Sequence, residues 1–333
     1  MLSIILVNYY STDLIMDCLH TVYRETTAID YEIIIIDNST DKRGKDKVLE
    51  QFPNAKWVDI GYNAGFARAN NVGIKVSMGD TVLLLNPDTL ILNKAIDNTY
   101  KSLSSSQYVA CGVQLLNEDG SPQISGNYAM KGGLNYLLPL PYIGNFLKWF
   151  GEVVKVKKPN VPNATSTIDI DWINGAFLMV KKSAIDKAGL LDEDFFLYAE
   201  EAEWCSRLKK VGKLCIYGSE KIIHLQGETA NETFESKGKG YYNLYDKKGL
   251  QIMISNFVRI RKEFGIVWFF IVFFVYMIEI PVFLLMGFIE NVFRLKNPLN
   301  HIKKWTGYTV NMLKVWKYVP IICNNKPYFY KVL

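Results

Sequence analysis

Three groups of side chains in this sequence are of types that do chemistry. Asp37 closes the run "YEIIIID" and Asp88 follows "TVLLLNP", so each carboxylate comes just after an apolar stretch. Alone, either reads as the N-cap of a following helix, a position that favours Asp. Together they are acceptors of the kind that hold a nucleoside or a divalent cation on a diphosphate. Glu200, Glu201 and Glu203 crowd the segment "FFLYAEEAEW", directly after Phe195, Phe196 and Leu197. Acids in a helix's first turn interact favourably with its dipole, by less than ~1 kcal/mol. Crowded carboxylates beside apolar residues also raise the proton affinity of one of them, which is what a general base needs. Of the three histidines, His20 falls within a helical pattern, His301 in a basic tail, and His224 at the end of a short apolar run. His224 is therefore either a structural hydrogen-bonding group or a metal ligand alongside Asp88.

A fourth feature is the stretch "GYNAGFARANNVGI", residues 61–74, with three glycines and three asparagines. Glycine allows close approach of backbone to a ligand, and asparagine offers a donor and an acceptor. The plainer reading is a loop with helix caps.

The elements that must position these residues follow from periodicity. Short apolar runs predict strands over 3–8, 31–37, 55–60 and 81–85; 3.6-residue spacing predicts helices over 12–22, 46–52 and 66–76. Strands that alternate with helices and are apolar on both faces imply a parallel sheet covered on both sides. Ligands bind such sheets at the carboxyl ends of the strands, where Asp37 and Asp88 fall. Residues 121–169 are rich in Gly, Pro and Asn and read as a long irregular excursion. Strand character resumes at 171–181, helices follow at 182–189 and 200–211, and short strands at 214–217 and 221–224.

Bulk properties divide the chain. The net charge is +5, yet from Ser255 onward there are eleven basic and three acidic residues, leaving a slightly acidic front. The tail is also rich in Phe, Trp and Tyr, which suits an anionic membrane and argues against nucleic acid. Five cysteines without a CxxC pair argue against a disulfide framework or zinc site and for a reducing compartment. The opening "MLSIILVNYY" lacks a basic start and reads as a strand, not a signal peptide.

Taken in order, six segments resemble the family 2 glycosyltransferases of the GT-A fold, in particular bacterial rhamnosyltransferase-like members. "SIILVNYYSTDLIMDCL" resembles the opening strand and helix, and "EIIIIDNSTD" the nucleotide-binding strand. "GYNAGFARANNVGI" resembles a GxNxGFAxAxNxGI signature that lines the nucleotide-sugar pocket, which implies that its glycines make room for the ligand. "LLLNPDT" resembles the metal motif, with Asn86-Pro87-Asp88 where many members have Asp-x-Asp. "DWINGAFLMVKKSAIDKAGLLDEDFFLYAEEAEWCSRLKKVG" resembles the acceptor-side strand and the helix of the catalytic base, and "HLQGET" the closing metal-histidine segment.

The resemblance implies an α/β fold of the nucleotide-diphospho-sugar transferase type, a Rossmann-like mixed sheet with helices on both faces. A catalytic domain over 1–250, with 121–169 as acceptor-side excursion, would be followed by a helical membrane-association region over 251–333. It implies that Asp37 contacts a pyrimidine base, and that Asn8, Tyr9, Asn63, Gly65, Phe66, Asn70 and Asn86 line the nucleotide sugar. Gly175 and Ala176 would line the donor sugar, and Asp88 with His224 would hold Mg²⁺ or Mn²⁺ against the diphosphate. Glu201 occupies the base position, with Glu200 as the alternative. The implied activity is inverting transfer of a sugar, best rhamnose from dTDP-rhamnose, to a lipid-linked or polysaccharide acceptor in cell-surface glycan biosynthesis.

The tail adds a membrane expectation. "FGIVWFFIVFFVYMIEIPVFLLMGFIE" approaches the roughly 20 apolar residues that span a bilayer, but Glu279 and Pro281 fall near its middle. Ile302, Trp305, Met312, Trp316 and Val319 share a helical face, with Lys303, Lys304, Lys314 and Lys317 beside it. This predicts a monotopic or re-entrant anchor on the cytoplasmic face of a bacterial plasma membrane. A buried helix pair, a homo-oligomer interface and a single span are the alternatives. Rival functions are a UDP-sugar-dependent transferase, a non-catalytic membrane scaffold and a Rossmann oxidoreductase. The last requires G-x-G-x-x-G after the first strand, whereas Asn8-Tyr9-Tyr10-Ser11-Thr12 holds no glycine.

Overall fold

The computed structural model describes the chain except Lys42, Lys157, 226–230, Glu232 and 238–241. The "QGET" end of the closing motif lies outside the described residues. The described chain forms two compact units: 1–128 with 160–196 and 200–229, and 129–159 with 197–199 and 230–333.

The first unit is built on a sheet of the strands β1 (Leu2–Asn8), β2 (Tyr31–Asp37), β3 (Lys56–Asp59), β4 (Thr81–Leu85), β5 (Thr89–Ile91), β6 (Ala110–Leu116), β9 (Thr167–Ile170), β11 (Phe177–Lys181) and β12 (Leu214–His224). A small second sheet holds β7 (Gly126–Asn127), β8 (Asn160–Val161) and β10 (Trp172–Ile173). The large sheet runs β3-β2-β1-β4-β11-β6-β12-β5, with β9 on β12. Its first four strands are parallel, as the sequence predicts. The rest is mixed: β11 runs antiparallel to β4 and β6, and β5 and β9 antiparallel to β12. Reversing β11 carries its leading residues, 174–177, to the edge where β1, β2 and β4 end. The expected strands at 214–217 and 221–224 are one bulged strand, because the register with β6 shifts between Tyr217 and Lys221. The expected strand at 171–181 is broken into β10 and β11.

Pleating divides the apolar runs between two cores. Ile4, Leu6, Ile33 and Ile35 face one side, against α1 (Thr12–Glu25) and α4 (Ala95–Ser105). Ile5, Ile34 and Ile36 face the other, with residues of α3 (Gly65–Val76), α6 (Lys182–Ala188) and α7 (Glu200–Lys209). A shorter helix, α2 (Arg43–Gln51), follows β2. All five cysteines are free thiols.

The second unit collects α5 (Ile143–Val153), α8 (Lys247–Phe264), α9 (Ile266–Phe293) and α10 (Ile302–Asn324). Residues 129–159 of the excursion thus pack with the C-terminal helices and are not irregular throughout. The apolar run is not interrupted: α9 is a single helix of 28 residues that continues through Pro281. Glu279 is fully buried and accepts from the Tyr142 and Ile143 backbone N–H groups at 2.7 and 2.9 Å, at the start of α5. α10 donates onto carbonyls of α9 through three side chains, Tyr308 to Tyr276, Trp305 to Ile280 and His301 to Leu284. Accordingly the stripe expected to face lipid is divided: Met312 is fully buried and Trp305 half-buried, whereas Ile302 and Trp316 are exposed.

Candidate active site

The site is built at the carboxyl edge of the sheet. Asn8 and Asp37 end β1 and β2 and lie side by side in register. Asn8 Nδ2 donates to Asp37 Oδ1 at 2.8 Å, and the Ser39 N–H donates to the same oxygen at 2.9 Å. Both residues are buried, so the carboxylate is held rigidly. Tyr9 follows, half-buried, with its ring edge-on to Tyr10.

The Gly/Asn loop is held from several sides. Asn38 donates to the Gly65 carbonyl at 2.9 Å and accepts from the Ala64 N–H at 3.3 Å. Asn63 Oδ1 accepts from the Gly65 N–H. Gly65 has φ +74, and a Cβ on it would lie 2.2 Å from the Phe196 carbonyl oxygen. That carbonyl accepts from the Phe66 N–H at 2.9 Å. The space on the Cβ side of Gly65 is therefore taken by this chain's own backbone. Gly61, at φ +84, has nothing within 4 Å of its Cβ position. Asn70 is buried, its amide donating to the Phe66 carbonyl one turn back. Asn71 exchanges two bonds with Leu191, at 2.9 and 3.0 Å, and so ties α3 to the segment leading towards Phe196.

From here contacts lead to the acids. A Cβ on Gly175 would sit 3.8 Å from Phe66 Cζ and 3.6 Å from Glu201 Cγ, so these three residues adjoin. Next to Gly175, buried Ala176 accepts from the Asn86 N–H at 3.0 Å. Two residues on is Asp88, whose Oδ1 is 3.4 Å from His224 Nε2. This pair is set by the ladder of β5 on β12, in which Thr89 faces His224, and by the Leu225 N–H donating to the Asp88 carbonyl. Glu200 and Glu201 are buried at the start of α7. The third acid, Glu203, is taken by a two-pronged ion pair with Arg207, both bonds 2.7 Å. Tyr198 and Ala199, just before Glu200, both have φ near +70 (72 and 67), each costing roughly 1–2 kcal/mol for an L-residue. Such outliers gather at functional sites.

His20 is exposed and stacks edge-on with Phe52, and His301 bonds within the second unit. Cys18, near Asp88, is buried and its thiol is pushed up to about 12, so it stays protonated and inert at neutral pH. Sequence reasoning passed over Asn38, Asn117 and Gln123. Asn38 adjoins Asp37, which is a usable signal. Gln123 follows an Asn-x-x-Gly turn, where the Gly120 N–H donates to the Asn117 carbonyl at 2.9 Å, and nothing local marks it.

Residues 3–167 match the sequence model of the family described as Glycosyl transferase family 2. The chain is 28% identical over 214 residues to the low-salt glycan biosynthesis hexosyltransferase Agl10 of Haloferax volcanii, covering 63% of this chain and 62% of that one. It is 24% identical over 208 residues to the N-acetylglucosaminyl-diphospho-decaprenol L-rhamnosyltransferase of Mycobacterium tuberculosis, covering 58% and 66%. With rhamnosyltransferase WbbL of Escherichia coli it shares 22% over 221 residues, covering 64% and 78%. The match thus spans under two thirds of the length of the first two relatives. Among solved structures, the mannosyltransferase PcManGT of Pyrobaculum calidifontis in complex with GDP-Man and Mn²⁺ aligns over 94% of this chain and 86% of that one, with TM-score 0.53 and 12% identity. GalNAc-T7 with UDP, GalNAc and Mn²⁺ aligns over 67% and 43%, with TM-score 0.50 and 15% identity. At such identities these two establish the fold alone, and the family match and the curated relatives carry the identification: the chain belongs to the family 2 glycosyltransferases and is similar to their rhamnosyltransferases.

Proposed function

We propose that the protein is a divalent-cation-dependent, inverting glycosyltransferase that moves a sugar, rhamnose from dTDP-rhamnose, to a lipid-linked glycan acceptor at the cytoplasmic face of the plasma membrane. The observation that carries the reading is the continuous path at one sheet edge from Asp37 through Gly65, Phe66 and Gly175 to Glu201, and back through Ala176 and Asn86 to Asp88 and His224.

Each residue then has a chemical task. Asp37, oriented through Oδ1 by Asn8 and Ser39, offers its other oxygen to the imide N–H of a pyrimidine. A carboxylate oxygen and an imidazole nitrogen 3.4 Å apart form a donor set that fits Mg²⁺ or Mn²⁺. Among the described residues, Asp88 and His224 are the pair that would hold the cation, and no group of three or more acidic, His or Cys side chains is found. Bound there, the cation supplies Lewis-acid stabilisation of the charge developing on the leaving diphosphate. Glu201 removes the proton from the acceptor hydroxyl as that oxygen attacks the anomeric carbon. The bond to the diphosphate oxygen breaks on the opposite face, its electron pair leaving with the nucleotide, so the configuration inverts. Gly175, which lacks a side chain, leaves the donor sugar space next to Glu201.

The membrane part of the proposal is supported by the second unit. Between Phe264 and Ile289 the only charged residue is Glu279, which is buried. The outward residues there include Val267, Phe274, Ile278 and Leu285, and α5 adds exposed Phe146 and Trp149. Lys303, Lys304, Lys314 and Lys317 of α10 are also exposed, which matches an anionic headgroup layer. A lipid-linked acceptor, as in the name of the mycobacterial relative, would be met at such a surface.

Purified protein screened against dTDP- and UDP-sugars, read by thermal shift and donor hydrolysis, tests the donor. Glu201→Gln should lower kcat by at least about 100-fold while donor affinity stays within about threefold. An active Glu201→Gln beside an inactive Glu200→Gln would move the base to Glu200. No response to any nucleotide sugar would favour the scaffold reading.

A further inference from the structure

Gln123 adjoins the Asp88–His224 pair without belonging to it. Its side chain is buried at 5% exposure, and it makes three hydrogen bonds. Nε2 lies 2.6 Å from the His224 carbonyl oxygen and 2.8 Å from Asn117 Oδ1. Oε1 lies 3.0 Å from His224 Nδ1. The orientation of this amide is forced, since a backbone carbonyl only accepts and the atom facing it must be the NH₂ group. The atom facing Nδ1 is then the amide oxygen, which also only accepts, so Nδ1 must carry the proton. In a neutral imidazole the lone pair is left on Nε2, the nitrogen turned towards Asp88 Oδ1 at 3.4 Å. Two lone pairs facing one another across that gap suit a bound cation. With no acceptor at Nδ1, the carboxylate of Asp88 would draw the proton to Nε2 and close the lone pair into a hydrogen bond.

We propose that Gln123 is a positioning residue that commits His224 to its Nδ1–H tautomer and so presets His224 Nε2 and Asp88 as a cation-binding pair. This rests on the metal-dependent reading above. Gln123 acts through His224 and touches neither substrate nor metal. Outer partners of metal-bound histidines of this kind typically change metal affinity by about 10–100-fold when removed.

The experiment uses the full chain in detergent and two readouts. Long-range ¹H–¹⁵N correlation of the imidazoles at pH 8, without metal, reports the tautomer; with three histidines in the chain, a His224→Asn variant assigns the signal. Mn²⁺ affinity is read from the free-ion EPR signal with dTDP, and separately UDP, at saturation. Wild type should show the Nδ1–H pattern. Gln123→Met keeps the length but neither polar atom; it should shift His224 to Nε2–H and weaken Mn²⁺ binding at least about tenfold. Gln123→Glu keeps an acceptor for Nδ1–H and should hold the tautomer. Wild-type His224 protonated at Nε2 alone would overturn the proposal, with no variant required. So would Gln123→Met with wild-type tautomer and affinity. If wild type binds no Mn²⁺ with either nucleotide, the metal-dependent reading fails instead, and the tautomer remains a separate result.

Discussion

Gly65 and Gly61 both sit at positive φ, yet only one is crowded, and this separates two reasons for a glycine. Gly61→Ala adds a side chain to open space and should cost only the dihedral strain, roughly 1–2 kcal/mol. Gly65→Ala adds the same strain and drives Cβ into the Phe196 backbone, 2.2 Å from its oxygen, so at least about 2 kcal/mol more is expected. Chemical denaturation of the two variants checks the order. A Gly65→Ala protein of wild-type stability that had lost donor affinity would instead assign Gly65 a ligand-facing role. Asn71 makes a comparable prediction, since its two bonds to Leu191 are buried. Asn71→Ala strands the Leu191 N–H and carbonyl and should destabilise by about 1–3 kcal/mol.

Among the elements, α9 is the one whose continuity is least expected, because proline inside a helix removes a donor and costs about 3 kcal/mol. Tertiary contacts hold it on both sides of Pro281. Tyr308 donates to the Tyr276 carbonyl before the proline at 2.9 Å, Trp305 to Ile280 at 2.9 Å, and His301 to Leu284 after it at 3.1 Å. The acceptor carbonyls are four residues apart along α9 and the donors three or four apart on the facing segment, the spacing of facing turns. Tyr308→Phe removes one rung from a buried site. It should lower stability by about 1–2 kcal/mol in detergent, as measured by thermal unfolding, with donor binding to the first unit unchanged. An equally large loss of donor affinity would show that the two units are energetically coupled.

At the scale of the whole molecule the question is what the apolar exterior of the second unit meets. A helix of 28 residues is about 42 Å long, against a hydrocarbon core of about 30 Å, so length alone permits a span. Its buried stripe runs from Phe269 through Val272, Tyr276, Glu279 and Phe283 to Gly287, so one side packs on protein and the other stays open, the pattern of a helix lying at a surface. Flotation should show the protein on vesicles containing phosphatidylglycerol and little on pure phosphatidylcholine. Replacing Lys303, Lys304, Lys314 and Lys317 with Gln should weaken the anionic-vesicle association by on the order of 100-fold or more, at about 1 kcal/mol per lysine. A C-terminal tag on intact cells that is cut by external protease, while the first unit is protected, would show a span and defeat the in-plane reading.

The sequence by itself determined the parallel strands β1, β2 and β4, because runs such as "IIII" and "VLLL" are apolar on both pleat faces and can only be buried between two layers. It also placed the proposed site at one sheet edge, because Asn8, Asp37 and Asp88 each come at the end of such a run and a parallel sheet brings those ends together. Residues 89–120 received no element, though β5, α4 and β6 lie there, and β5 is what pairs Asp88 with His224. Only the tertiary structure decided what depends on partners distant in the chain. The space beside Gly65 goes to a backbone 131 residues away, Gln123 reaches a histidine 101 residues on, and Glu279 finds its donors in the excursion. Periodicity reports which face of an element is buried; it carries no information about which atoms arrive to cover it.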